Sequence, residues 1–187
     1  MDPELEKCLK VLQDGGTILY PTDTIWGIGC DATNDPAVEK VYRLKKRMES
    51  KSLIILLDDT KSLPDYVSTI PEIVWDLLGN VETPLTIIYP DAKNLAGNVI
   101  AKDHSVAIRI VKTGFCNRLI HAFGKPIVST SANISGEATP VTFRHISADI
   151  ISGVDYVVDW RMDPVHDMKP SQIIKINANG DFRIIRK

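Results

Sequence analysis

The sequence predicts an α/β domain with a mixed sheet, and three observations carry that assignment. Short apolar runs of strand length recur along the 187 residues, Leu53–Leu57 being the most continuous. Between them lie stretches whose apolar residues return at helical spacing, such as Leu5, Cys8, Leu9 and Leu12. The two kinds mix without strict alternation, so the sheet is not purely parallel. No repeat, low-complexity run or Gly/Ser linker divides the chain, and residues 1–187 are read as one domain.

The elements follow in order. A helix starts after Asp2-Pro3, because proline suits the first helical turn, and Gly15-Gly16 ends it. TILYP and IWGIGC read as strands on either side of a sharp Thr22-Asp23-Thr24 loop. Asn34-Asp35-Pro36 starts a second helix, whose Val38, Val41 and Tyr42 make a buried stripe and which is expected to reach about Arg47. The run Leu53–Leu57 suits a central strand covered on both faces. A helix around 71–78 precedes the strands PLTIIY and SVAIRIV. Phe115, Leu119, Ile120 and Phe123 mark a helix that Gly124 closes, and PIVST is the next strand. Near the end, QIIKIN and FRIIRK flank Ala178-Asn179-Gly180-Asp181, a hairpin signal.

Composition narrows the function. Twenty-two basic against 24 acidic residues leave a formal charge of −2, which argues against coating nucleic acid by charge alone. No apolar run approaches the roughly 20 residues that span a bilayer, and MDPELEKCLK lacks a signal peptide's apolar core. Cys8, Cys30 and Cys116 are an odd count without CxxC spacing, against a disulfide framework or zinc ribbon. A soluble protein of the reducing cytoplasm is expected.

Charge is unevenly spread. Lys40, Arg43, Lys45, Lys46, Arg47 and Lys51 stand against Glu49 alone, a local +5, so the rest of the chain sums to −7. Such a cluster is either a solvated helix end or, beside a central strand, an anion site where Arg47 grips phosphate with two parallel hydrogen bonds. PIVSTSANISG offers a similar choice: Ser129, Thr130, Ser131 and Asn133 either bind a ligand's polar atoms or cap the following turn. Other signals are weaker. Gly27-Ile28-Gly29 is no dinucleotide fingerprint, and no P-loop or nucleophile elbow occurs. His104, His121, His145 and His166 are scattered, and His166-Asp167 after Asp163 matches no metal motif. Trp26, Trp75 and Trp160 read most simply as core or pocket wall.

Taken together, GGTILYPTDTIWGIGCDA, RLKKRMESKSLIILL, PLTIIYP, SVAIRIV, PIVSTSANISG, KPSQIIKI and FRIIR resemble the YrdC family over nearly the whole chain. The family's Lys-x-Arg and later Ser-x-Asn match Lys45-Lys46-Arg47 and Ser131-Ala132-Asn133, and the resemblance implies catalytic roles for Lys45, Arg47, Ser131 and Asn133. It implies a twisted α/β sheet with a concave basic face, and synthesis of L-threonylcarbamoyl-AMP from L-threonine, bicarbonate and ATP. It further implies that Thr24, Arg109, Ser129 and Ser171 surround threonine, while Arg47, Lys51, Ser105, Ser131, Thr139 and Arg186 line the ATP side. Mg²⁺ is expected to arrive on the triphosphate. The implied partners are a downstream threonylcarbamoyl-transferase complex and weakly bound tRNA, with no membrane. A non-catalytic RNA-binding module using the same basic face is the alternative. Departures from the family pattern are Met48, Ser52, Leu56, the Glu82-Thr83-Pro84 loop and the stretch 160–170.

Overall fold

The computed structural model describes residues 2–48, 53–159 and 170–187. Helix α1 (Pro3–Gln13) begins where the Asp2 carboxylate accepts the Glu4 amide, the N-cap that the sequence signals. Strands β1 (Ile18–Pro21) and β2 (Trp26–Gly29) form an antiparallel hairpin with Ile18 opposite Gly29. Helix α2 (Asp35–Leu44) is capped by Asn34, whose side chain accepts the Ala37 amide.

Then come β3 (Ile54–Leu57), a short α3 (Leu63–Tyr66), α4 (Ile73–Asn80), β4 (Leu85–Tyr89) and β5 (Val106–Ile110). Helix α5 (Gly114–Phe123) ends at Gly124 in the left-handed region, as its position after the last apolar residue predicts. Strand β6 (Ile127–Ser131), α6 (Ala148–Gly153), β7 (Tyr156–Val157), β8 (Gln172–Ile176) and β9 (Phe182–Arg186) complete the order. The expected hairpin β8–β9 is present. It closes through a loop in which Gly180, at φ 89°, donates to the Asn177 carbonyl, rather than through a two-residue Asn-Gly turn.

The strands form one nine-stranded sheet in the order β7-β1-β2-β6-β3-β5-β4-β8-β9. Pairings β1–β7, β3–β5 and β4–β8 are parallel and the rest antiparallel, so the sheet is mixed. Helices α1 and α5 pack together and reach β1 and, through α5, β3. The central strands bury Ile28, Ile55, Ile87, Ile108 and Val128. All three cysteines are free and buried, and burial pushes the Cys8 and Cys116 thiols up to about 12. Among the described residues no helix is long and apolar enough to cross a membrane.

Helix α2 ends three residues before the expected Arg47. The Lys46 amide donates to the Arg43 carbonyl, and the Arg47 amide reaches back to Tyr42 at 2.9 Å. This hydrogen-bond pair is a Schellman motif, with Lys46 at the position usually held by glycine and φ at +49°. The chain therefore turns at Lys46, and the three basic residues point to different places.

Candidate functional site

The site is assembled by strand register. Cross-strand partners lie on the same face of a sheet, and one row can be followed from β2 to β9. Gly27 pairs with Ser131, and Ile54 with both Ser129 and Ala107. Ala107 pairs with Ile88, Arg109 with Thr86, Thr86 with Ile173, and Ile173 with Arg186. Apart from Thr86, every residue in this row lines one cavity of about 290 Å³.

The rest of the cavity wall comes from loops. Thr22 organises the β1–β2 turn: its Oγ1 donates to the Ile25 carbonyl at 2.7 Å and accepts the Thr24 amide at 3.1 Å. That turn sets Thr24 on the wall. Gly27 gives the floor room, since a Cβ there would crowd Ser129 Oγ at 3.1 Å and Thr22 Cγ2 at 3.2 Å. The Schellman turn delivers Arg47, and Thr139 follows the Ser-x-Asn loop.

The cavity thus gathers Thr24, Arg47, Arg109, Ser129, Ser131, Thr139, Ser171 and Arg186, all singled out from sequence. Its wall also carries residues that sequence reasoning missed, the apolar Ile54, Ala107, Ile88, Ile173 and Ile185 among them. Their signal was available in the period-2 alternation of the strands. Arg186 donates Nε and Nη2 to the Ser171 carbonyl at 2.9 and 2.7 Å, while Ser171 Oγ lies 2.7 Å from Thr86 Oγ1. Burial lowers the pKa of the Arg47 guanidinium; burial and the nearby Arg109 lower that of Arg186. Such a wall, with hydroxyls and guanidinium groups above an apolar floor, suits a multiply charged anion carrying a flat or aliphatic part.

Three sequence-predicted residues lie elsewhere. Lys45 does not line the cavity. Only 1% exposed, its Nζ donates to the Ser131 and Asn133 carbonyls, the latter at 2.6 Å, and so straps the end of α2 to the Ser-x-Asn loop. Desolvation, then repulsion from Arg47, hold its pKa down to about 7. Asn133 spends its amide hydrogens on the Ile134 and Glu137 carbonyls at 3.1 and 2.8 Å, so it shapes the loop and is off the wall. Ser105 donates to Asp103 at 2.6 Å in a local turn, also away from the cavity. Lys51, Trp160, Asp163, His166 and Asp167 lie outside the described residues.

The remaining candidates are structural or exposed. Trp26 is fully buried, with its ring 5.0 Å from that of Phe143, whereas Trp75 is 42% exposed and off the wall. His121 is exposed and contacts Asp58 at 2.9 Å, and His145 contacts Thr142 at 3.0 Å. Among the described residues no group of three or more His, Cys, Asp or Glu side chains converges to hold a metal.

Residues 10–187 match the model of the Sua5/YciO/YrdC family, described as telomere recombination. The threonylcarbamoyl-AMP synthase of Saccharophagus degradans is 34% identical over 180 residues, spanning 92% of this chain and 94% of that protein. The fold is shared with P. abyssi Sua5 complexed with L-threonine, at TM-score 0.85 and 24% identity, covering 92% of this chain and 50% of the other. E. coli YciO superposes at TM-score 0.83 with 21% identity, over 98% and 88% of the two chains.

Proposed function

The chain belongs to the Sua5/YciO/YrdC family, and from that premise we propose that it is a threonylcarbamoyl-AMP synthase. The observation that carries the proposal is a single cavity. It brings Arg109, Ser129 and Ser171, assigned to threonine, together with Arg47, Ser131 and Arg186, assigned to ATP.

The reaction joins L-threonine, bicarbonate and ATP into L-threonylcarbamoyl-AMP, pyrophosphate and water. The threonine amine attacks the bicarbonate carbon, water leaves, and a carbamate forms. A carbamate oxygen then attacks the α-phosphorus, and the bond to the β-phosphate oxygen breaks to release pyrophosphate. No side chain becomes covalently modified, so the protein's task is to hold two anions in contact and offset phosphate charge. Arg109 would pair the threonine carboxylate, with Thr24 and Ser129 hydroxyls beside it. Arg47 and Arg186 would meet the triphosphate, Ser131 and Thr139 would donate to its oxygens, and Lys51 belongs to the same expectation. Lys45 and Asn133 would act one step back, by fixing the loop that carries Ser131.

Mg²⁺ enters as the companion of ATP. The described wall offers hydroxyls and guanidinium groups, without a carboxylate or imidazole. That donor set suits an ion held by phosphate oxygens and water rather than by protein ligands. The product would pass to a threonylcarbamoyl-transferase complex acting on tRNA, with only weak direct tRNA contact in the cytoplasm.

The test is mass-spectrometric detection of threonylcarbamoyl-AMP after incubating the purified protein with threonine, bicarbonate and MgATP. Product is expected only with all three substrates. ATP-to-AMP turnover that persists unchanged without threonine or bicarbonate refutes the reading. Tight, salt-dependent RNA binding that ATP leaves untouched would favour the binding-module alternative.

A further inference from the structure

The Arg109 side chain is 5% exposed, and its ion pair with Asp23 spans the boundary between two cavities. On one side is the 290 Å³ cavity, whose wall includes Arg109. On the other is a cavity of about 210 Å³, lined by Asp23, Glu82, Pro84, Lys112 and Thr113 among others. Asp23 Oδ1 accepts from Arg109 Nη2 at 2.9 Å. Asp23 borders the second cavity and is absent from the wall of the first, so its carboxylate stands behind the guanidinium as seen from the candidate site.

Two further facts sharpen the arrangement. Arg109 Nε is buried and has no hydrogen-bond partner among the described residues. A guanidinium carries five N–H donors in a rigid plane, so fixing one edge fixes the direction of the others. Lys112, which shares the second cavity's wall with Asp23, donates to the Leu78 and Val81 carbonyls at 3.1 and 3.2 Å, and among the described residues Asp23 makes its ion pair with Arg109. The turn formed by Thr22 holds Asp23 next to Thr24 on the wall, which ties both residues to one rigid loop.

We propose that Asp23 is a positioning residue: it anchors the Arg109 guanidinium from behind and presents its remaining N–H donors to the carboxylate of the amino-acid substrate. This deepens the proposed function and rests on it. The opposite possibility, that Asp23 occupies the substrate carboxylate's place and competes with it, requires Asp23 on the main cavity wall. The two also differ in sign. Removing a competing or merely repulsive carboxylate tightens binding of an anionic group, whereas removing an anchor weakens it.

The experiment measures L-threonine and ATP affinity by titration calorimetry on wild type, Asp23→Asn and Asp23→Ala, each checked for native folding. Asp23→Ala is expected to weaken threonine binding at least tenfold while ATP affinity stays within twofold. Asp23→Asn keeps an acceptor oxygen and is expected to lose about threefold to tenfold, so it carries the test if the alanine variant does not fold. Unchanged or tighter threonine binding overturns the proposal, and so does an equal loss for both ligands, the mark of a collapsed loop. A wild-type protein that binds ATP but shows no binding of threonine would instead overturn the proposed function and this inference with it.

Discussion

Lys45 gives the most direct test of how the Ser-x-Asn loop is held. The perturbation is Lys45→Met, which keeps an unbranched chain of similar size and removes the ammonium. In the folded protein the Lys45 pKa is held down to about 7, against 10.5 for an ordinary lysine. Between those values the unfolded chain binds a proton that the folded chain has released. Stability from this group therefore rises as pH climbs through the window and is nearly flat below it. Each unit is worth about 1.4 kcal/mol. Between pH 7 and 9 the wild type should gain roughly 2 kcal/mol relative to Lys45→Met, and between pH 6 and 7 less than about 0.5 kcal/mol. The fixed loss of the bonds to Ser131 and Asn133 offsets the two proteins equally at every pH and drops out of the slope. Urea unfolding of both proteins at pH 6, 7, 8 and 9 reads the difference. A difference that is flat or falls from pH 7 to 9 refutes a buried, desolvated ammonium at this position.

The turn after α2 yields two more predictions. Lys46→Gly removes a side chain from a left-handed backbone position and should stabilise the fold by about 0.5–1 kcal/mol, or roughly 1–4 °C in Tm, with turnover unchanged; a lower Tm would contradict the Schellman turn. Arg47→Lys keeps the charge and loses the planar fork, so kcat/KM for ATP should fall roughly tenfold to a hundredfold. A smaller loss than that of Lys46→Ala would remove Arg47 from the site.

Strands were legible wherever burial imprinted itself on composition. Ile55, Leu56, Leu57, Ile127 and Val128 read as apolar because they are buried on both faces of the sheet, whereas Ile54 opens onto the cavity. The hairpin β8–β9 was legible through its turn residues. Less legible were α6 and β7, short elements whose place depends on pairing with β1 far back in the chain. The end of α2 was misread because glycine is the usual marker of a Schellman turn, and here lysine fills that position. Most polar cavity residues were found from the motifs, yet the motifs do not say which polar side chains face a ligand and which face a carbonyl. Lys45 looked like Arg47 in sequence. Its partners are the carbonyls of residues 131 and 133, which only the sheet brings beside α2. Asp23 was passed over for the same reason: its partner Arg109 lies 86 positions later.

The precision of the site follows from the opposite face of the same strands. Ile55 pairs with Val128 and Ile108, Ile108 with Ile87, and Ile87 with Ile174, a row that alternates with the cavity row and is buried throughout. Burying each such side chain is worth about 1.5–3 kcal/mol. A one-residue slip of β5 would exchange Ile108 for Arg109, placing a guanidinium in the core and an isoleucine in the cavity. The slip loses apolar burial and leaves a charge without solvent, so the aliphatic row excludes it. Arg109 is thereby aimed by Ile108, and Ser129 by Val128, each through the pleat of a single strand. What remains for dedicated positioning is the rotation of long side chains about their own bonds. There the structure supplies polar anchors: Asp23 on Arg109 and the Ser171 carbonyl on Arg186. Backbone register sets which residues reach the cavity, and these anchors set the direction of their charges.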